Sequence, residues 1–448
     1  MVCHNVNRRD FLKKSAIVAA AGLAGGTGAM HPEEQRAHDA HAAMKVVKPE
    51  KLLDSEPLLQ AAAPDSVGVA FAVNGFSVGY AEVSVKPSME GAVRFRSEGM
   101  PFASVSSRLH RVRMTGLRPA TKYYYRIGAA FLDHPVGYWM KASGIEWGDV
   151  HSFTTPGTAA ESRFAVMNDT HAHWESFSPI CAKLKSLGAP VTVWNGDFPP
   201  SLIRTEKDAI RIFLKPPIPE ADYGADAPVL IVNGNHDFRG EWNRTRSQDI
   251  FLPHPDGVKD PKYSALVRNF AVRQGDIAMI GLDTGEDKPD WHPCFAGCAG
   301  FEPYRRLQAE WLKDQFKRPE IASAPYVVAF CHIPLYDSNP KANPGDRLED
   351  WASWQKACSE LWGPIFDANR VQLVIAAHVH AYRYDPPSPG RTWAQITGGG
   401  PKRVTTRRGH KGFPSVIEGI VYNGALEIRV HDVLAGKVEA VHRFAPRE

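Results

Sequence analysis

The stretch Val229-Leu230-Ile231-Val232-Asn233-Gly234-Asn235-His236-Asp237 sets an apolar, β-branched run directly against a cluster of polar side chains. A short apolar run bounded by turn formers reads as a buried strand, and the polar residues after it read as a loop of amides, imidazole and carboxylate. Four more apolar runs close in the same way, at Met167-Asn168-Asp169-Thr170-His171, Asn195-Gly196-Asp197, Cys331-His332-Ile333-Pro334 and Ala377-His378-Val379-His380. In open α/β sheets, sites assemble beyond the carboxyl ends of strands, so all five places are expected to face one crevice. Carboxylate and amide oxygens together with imidazole nitrogens suit Zn, Mn or Fe. Two such ions about 3.5–4 Å apart can share a carboxylate and a hydroxide and clamp a phosphoryl group, so the pattern points to a dinuclear hydrolase.

The ordered series Asp169-Thr170-His171, Gly196-Asp197, Gly234-Asn235-His236-Asp237, His332 and His378-Val379-His380 resembles the calcineurin-like metallophosphoesterases across residues 164–400. The segments Gln308-Ala309-Glu310-Trp311-Leu312 and Ile396-Thr397-Gly398-Gly399-Gly400 are similar to family segments as well. The resemblance implies an α/β fold, a sandwich of mixed β-sheets flanked by helices. It further implies that Asp169, His171 and His380 hold one metal ion, that Asn235, His332 and His378 hold a second, and that Asp197 bridges them. His236 is then expected to contact the substrate phosphate and assist the leaving group, oriented by Asp237, while a hydroxide between the ions attacks phosphorus in line. The plain alternative for His332, which stands before Pro334, is a satisfied buried histidine.

Two positions depart from the family pattern. In purple acid phosphatases a tyrosine ligating ferric iron lies three residues after the bridging aspartate, and here that place is Pro200, which argues against a purple iron centre. Ala377 stands where the last motif usually has glycine, and no ligand is lost by it. His173, two residues beyond His171, shares its direction in an extended segment and is expected either to reach the substrate or to face solvent. Asp283 closes another strand-like run and is read as structural. The insert 286–301, with Trp291, His292, Cys294 and Cys298, is a candidate crevice wall, and Arg403, Arg407 and Arg408 are either an anion lure or a solvated face.

Outward from these motifs, strand-like runs alternate with amphipathic segments at 175–187, 205–214, 304–318 and 348–369, as an α/β domain over residues 157–448 requires. Residues 60–156 instead carry short runs of β-branched and aromatic residues between turn signals, which is the spacing of an all-β sandwich. Within it, Gly116-Leu117-Arg118-Pro119-Ala120-Thr121-Lys122-Tyr123-Tyr124-Tyr125 resembles the tyrosine corner of fibronectin type III-like domains, and the order of the two blocks is similar to that of exported purple acid phosphatases. Residues 31–59 are polar and Ala-rich and are expected to form a linker, in which His31, His38 and His41 are solvated.

The first thirty residues read as an address. Arg8-Arg9-Asp10-Phe11-Leu12-Lys13-Lys14 precedes a small apolar run, 15–26, too short for the roughly 20 residues of a spanning helix. The layout is that of a removable export signal and resembles the twin-arginine type, with the translocase as partner, a periplasmic or extracellular destination, and no stable membrane anchor. Cys3 precedes the arginines, so a lipoprotein anchor is not supported. The formal net charge of +4, from 53 Lys and Arg against 49 Asp and Glu, falls to 49 against 48 without this segment, and no nucleic-acid partner is implied. Of the five remaining cysteines, Cys294 and Cys298 are spaced for a small disulfide loop, with half a zinc site as the competing reading.

The sequence is therefore expected to specify an exported, metal-dependent phosphoric-ester hydrolase that acts on small phosphomonoesters. A phosphodiesterase of the same chemistry and a non-catalytic binding module are the alternatives.

Overall fold

The computed structural model describes residues 47–99, 102–136, 139–199, 202–337, 351–407 and 410–447. Alternation along the strands decides where each side chain goes. In Arg163–Met167, Phe164 and Val166 turn to one side and Ala165 and Met167 to the other, and all four are fully buried. A strand buried on both faces belongs in the middle of a covered sheet. Phe164 and Val166 meet Phe270, Met279, Val328 and Ile375 of a second sheet, while Met167 packs with Phe177 and Ile180 of the helix Trp174–Leu187.

The first sheet runs in the order Lys437–Phe444, Ala425–Asp432, Ser415–Tyr422, Arg163–Met167, Thr192–Asn195, Val229–Val232, Leu58–Ala63, Ser66–Ala72, Leu109–Thr115. Arg163–Met167, Thr192–Asn195 and Val229–Val232 are parallel. The second sheet runs Phe270–Gln274, Ile277–Gly281, Tyr326–Phe330, Leu373–Ala376, Ala394–Thr397, Arg383–Asp385, and here Ile277–Gly281, Tyr326–Phe330 and Leu373–Ala376 are parallel. The helices Phe301–Gln315 and Trp351–Ala368 cover its outer side through Trp311, Leu312, Trp362 and Phe366. The expected mixed-sheet α/β sandwich with flanking helices is present.

Before residue 157 two sheets share one core of Val67, Phe71, Val112, Met114, Tyr123, Tyr125 and Ile127. One is the Leu58–Thr115 end of the long sheet, and the other follows the path His151–Thr154, Lys122–Val136, Ser77–Ser84, Val93–Arg96. The Arg118 backbone N–H donates to the Tyr123 hydroxyl over 2.9 Å, the contact expected of the tyrosine segment. Lys48–Leu132 and Ala142–Glu448 form one compact unit, and Asp133–Lys141 belong to another.

Two elements were not foreseen. The strand Leu58–Ala63 begins inside the stretch read as linker and pairs parallel with the catalytic strand through Gln60 and Val229, so one sheet runs through both halves. Leu52 and Leu53, also in that stretch, are buried in the sandwich core. Isolated Leu pairs in polar surroundings carry no period, so only the distant partner strand reveals them. Phe270–Gln274, the other addition, forms a hairpin with Ile277–Gly281 around Gly275 at φ 59°.

All five described cysteines are free, three buried and two exposed. The expected Cys294–Cys298 pairing is not made. Cys294 Sγ lies 2.8 Å from His292 Nδ1, whereas Cys298 Sγ contacts the Ala296 carbonyl at 3.7 Å, so the intervening turn sends the thiols to different partners. Among the described residues no helix is long and apolar enough to cross a membrane. The export segment 1–30, Cys3, His31, His38, His41, Pro200 and Arg408 lie outside the described residues.

Candidate metal centre

Three strands of the first sheet and two of the second end at the same crevice, and their backbones turn sharply on leaving. Asp169 and His171 have φ 46°, Asp197 55°, His378 65° and His380 53°. Each such left-handed residue other than glycine is strained by about 1–3 kcal/mol, and strain of this kind gathers where a site holds it. The loops also approach closely. A Cβ on Gly234 would collide with Asp197 Oδ1 and the Asp197 backbone nitrogen, and one on Gly196 would strike His332 Nδ1, so both glycines are required.

Two groups of ligand atoms result, each with its members within 4.8 Å of one another: Asp169, His171, Asp197 and His380, and Asp197, His332 and His378. Asp169 Oδ1 stands 3.2 Å from His380 Nε2, and His171 Nε2 stands 3.0 Å from His380 Nε2 and 3.6 Å from Asp197 Oδ2. In the second group His332 Nε2 is 3.3 Å from Asp197 Oδ2. Asn235 joins it, its Oδ1 lying 2.9 Å from His378 Nδ1.

The residues fit a metal pair. Atoms bound about 2.0–2.2 Å from one ion stand roughly 3 Å apart, which is the spacing found here. Asp169 Oδ1 and His332 Nε2 are buried with no well-aligned hydrogen bond among the described residues and meet only other candidate ligand atoms, which is costly unless a cation joins them. The remaining atoms are tied down. Asn168 Nδ2 donates to Asp169 Oδ2 and to the Gly399 carbonyl, each at 2.6 Å, and the His378 N–H donates to Asp169 Oδ2 at 3.0 Å. His332 Nδ1 donates to the Asn195 carbonyl at 2.9 Å, which leaves Nε2 as the ring atom turned to the crevice.

The electrostatics point the same way. Burial opposes ionisation of Asp169, but His380 and His332 outweigh it and hold the carboxyl down at about 2. Burial likewise opposes Asp197, which His332 brings well below the usual carboxylate range. Burial disfavours a charged His332, yet Asp197 and Asp169 push its imidazole up to about 10. Two buried carboxylates thus demand positive charge at the point where their ligand atoms converge.

His236 stands over this floor, its ring 4.8 Å from that of His171 and edge-on to it. Asp237 does not reach it. The Asp237 carboxylate accepts from the backbone N–H groups of Gly234 at 2.6 Å, Asp197 at 2.9 Å and Phe198 at 3.3 Å, so it braces the two ligand loops against each other. Burial, then the nearby Asp197, pushes the Asp237 carboxyl up to about 8. The partner of His236 is Arg239, whose Nη1 lies 3.0 Å from His236 Nε2. Glu286 fixes that guanidinium through contacts of 3.0 and 3.1 Å, and Asp287 adds one at 3.4 Å while standing 3.5 Å from Asn235 Nδ2. Arg239, Glu286 and Asp287 are the residues that motif reading missed. The charged run Glu286-Asp287-Lys288 inside an otherwise turn-rich insert was the available signal.

His173 is not brought to the centre. It caps the helix Trp174–Leu187, and its Nδ1 is 3.0 Å from Ser176 Oγ, a local contact that turns the ring along its own helix. Asp283 accepts from Asn233 Nδ2 at 2.9 Å, Tyr304 Oη at 3.2 Å and the Gly285 N–H at 2.8 Å, in keeping with a structural role. Arg403 pairs with Asp432 and is not free to draw in anions. Ala377 is fully buried and donates its N–H to the His332 carbonyl at 2.8 Å, so the two ligand loops still meet there.

Known proteins share both halves of this architecture. Residues 162–382 match the calcineurin-like phosphoesterase family, and residues 59–155 match the N-terminal domain of purple acid phosphatases. The chain thus carries a calcineurin-like phosphoesterase domain behind a purple acid phosphatase N-terminal domain. Among curated relatives, it is 24% identical to purple acid phosphatase 21 of Arabidopsis thaliana over 288 residues, covering 63% of this chain and 54% of that one. Purple acid phosphatase 22 of the same plant is 25% identical over 287 residues, with the same coverage of 63% and 54%. The chain therefore spans about half the length of these relatives. In fold it is similar to a purple acid phosphatase from yellow lupin (Lupinus luteus) seeds, with TM-score 0.60, 13% identity and coverage of 87% of this chain and 74% of that one. It is also similar to PhoD, with TM-score 0.55, 12% identity and coverage of 89% and 90%.

Proposed function

We propose that this chain is an exported, dinuclear-metal phosphoric-ester hydrolase of the acid phosphatase type, acting on small phosphomonoesters. The observation that carries the reading is Asp197, whose Oδ2 lies 3.3 Å from His332 Nε2 in one ligand group and 3.6 Å from His171 Nε2 in the other. A carboxylate common to two adjoining groups is what a metal pair needs. Asp169, His171 and His380 would hold one ion and Asn235, His332 and His378 the other, with Fe, Mn and Zn all compatible with such donors. Once bound, the pair supplies positive charge at the phosphoryl oxygens and a water acidic enough to serve as nucleophile.

The chain's own groups do the positioning. His236, whose ring stands edge-on to that of His171, would contact the phosphoryl oxygens. Arg239 sets the His236 ring through Nη1 and brings a guanidinium cation to the rim, held there by Glu286. Asp237, through its three backbone contacts, keeps the loops of Asp197 and Gly234 in register. Arg8 and Arg9, ahead of a short apolar run, support export in the folded state.

The test uses metal-stripped protein reloaded with Fe, Mn or Zn and assayed on p-nitrophenyl phosphate and its bis ester. Monoester turnover that returns only on reloading is expected. Faster turnover of the diester replaces the monoesterase with a phosphodiesterase, and no turnover of either leaves a binding module. For export, the Arg8→Lys, Arg9→Lys chain is expected to stay in the cytoplasmic fraction, and normal export of that variant defeats the twin-arginine reading.

A further inference from the structure

Arg111 and Arg113 stand two residues apart on the edge strand Leu109–Thr115, so both point to the same side of the sheet. Val112 and Met114 between and beyond them turn the other way, into the sandwich core. The arginines look onto residues 248–259 of the catalytic half, across a cavity of about 470 Å³ that Lys259, Gln248, Ser104 and Glu98 also line. The lining cations are therefore three against one carboxylate.

The two guanidiniums are held differently. Arg113 is fixed, donating from Nη2 to the Pro253 carbonyl at 2.6 Å and from Nη1 to the Ala61 carbonyl at 3.4 Å. Arg111 has a buried Nη1 with no hydrogen-bond partner among the described residues. A buried donor left unmade is costly, and more so when it carries charge. Neither arginine forms an ion pair among the described residues, although other arginines of the chain do. Arg94 and Arg126 share Glu82 at 2.6 and 2.9 Å, and Arg163 reaches Glu418 at 2.6 Å. Two like charges on one strand face, one with an unmet donor, in a cavity roomy enough for a small molecule, describe a receptor for a small anion.

The geometry points to a binding site for a phosphate-type oxyanion between Arg111, Arg113 and Lys259, separate from the metal centre. The forked N–H groups match the oxygens of a phosphoryl group, and the cavity leaves room for an organic substituent on it. The ligand is thus inorganic phosphate or the phosphoryl end of a small ester. The site shares no lining residue with either metal group, and the inference does not rest on the hydrolase reading.

The test uses the full chain stripped of metal, which separates this site from the catalytic one, titrated calorimetrically with inorganic phosphate and, in a parallel arm, with phenyl phosphate. Saturable binding of one anion per chain is expected. Tighter binding of phenyl phosphate assigns an organic ester, and equal or tighter binding of inorganic phosphate assigns the free anion. Arg111→Gln is expected to weaken binding roughly tenfold or more, with its fold checked by circular dichroism. Lys259→Gln, at an exposed position that folding tolerates, is expected to weaken it less. The proposal is overturned if the stripped chain binds neither anion saturably, or if both variants bind as the parent does.

Discussion

The sandwich and the metal centre are made from the same short strands, and, His110 and Arg111 apart, they treat their polar groups in opposite ways. In the sandwich, the Tyr123 hydroxyl takes the Arg118 N–H, Tyr125 Oη donates to the Ala225 carbonyl at 2.7 Å, and Glu82 sits between two arginines. At the ends of the catalytic strands, Asp169 Oδ1 and His332 Nε2 are buried with no well-formed hydrogen bond among the described residues, and five ligand residues bear left-handed backbone angles. Satisfied polar groups hold a fold together, whereas unsatisfied ones held in place by strain mark where something else must bind.

Asp197→Ala strikes this contrast hardest, because it removes the atom both ligand groups share. A fall in kcat/KM of roughly 10²–10³-fold or more is expected, with metal content dropping by elemental analysis. Retained activity and metal would refute the dinuclear assignment. Gly234→Ala comes next, since its Cβ collides with Asp197. Loss of bound metal and a destabilisation of about 1–3 kcal/mol in thermal unfolding are expected, and an unchanged melt would show that the loops have slack.

Arg239→Gln should cost roughly 10–100-fold in kcat/KM with metal content intact, and Arg239→Lys should recover part of it. Unchanged kinetics would reduce Arg239 to a tie for Glu286. Tyr123→Phe is the smallest effect, about 1 kcal/mol of stability with catalysis untouched. A drop in kcat there would mean that the sandwich and the metal centre are coupled more tightly than their contrasting chemistry suggests.

What could be read in advance divides along physical lines. Asp169, Asp197, Asn235, His332 and His378 were legible because each closes an apolar run, and strand ends in such sheets converge. Their support was not. Arg239 meets Glu286 across 47 positions of chain, and beyond the charged run 286–288 nothing local distinguishes either from a solvated surface charge. Asp237 was misassigned for a related reason: adjacency to His236 suggests a partnership, but the 3-10 turn Asn235–Phe238 points its carboxylate back at the backbone of its own loop and of Asp197. The strand Leu58–Ala63 escaped because its identity lies in its pairing with Val229–Val232, a contact of long sequence separation.

That pairing has a consequence for synthesis. Leu58–Ala63 leaves the ribosome long before Val229–Val232 exists, so the nascent chain carries an open apolar edge through the making of more than a third of its length. Unpaired edges of this kind are templates for misassociation. The sandwich is therefore not a module to be trimmed away: cutting it off would leave the Val229–Val232 edge exposed, and a chain halted before residue 229 would leave Leu58–Ala63 seeking a partner in another molecule.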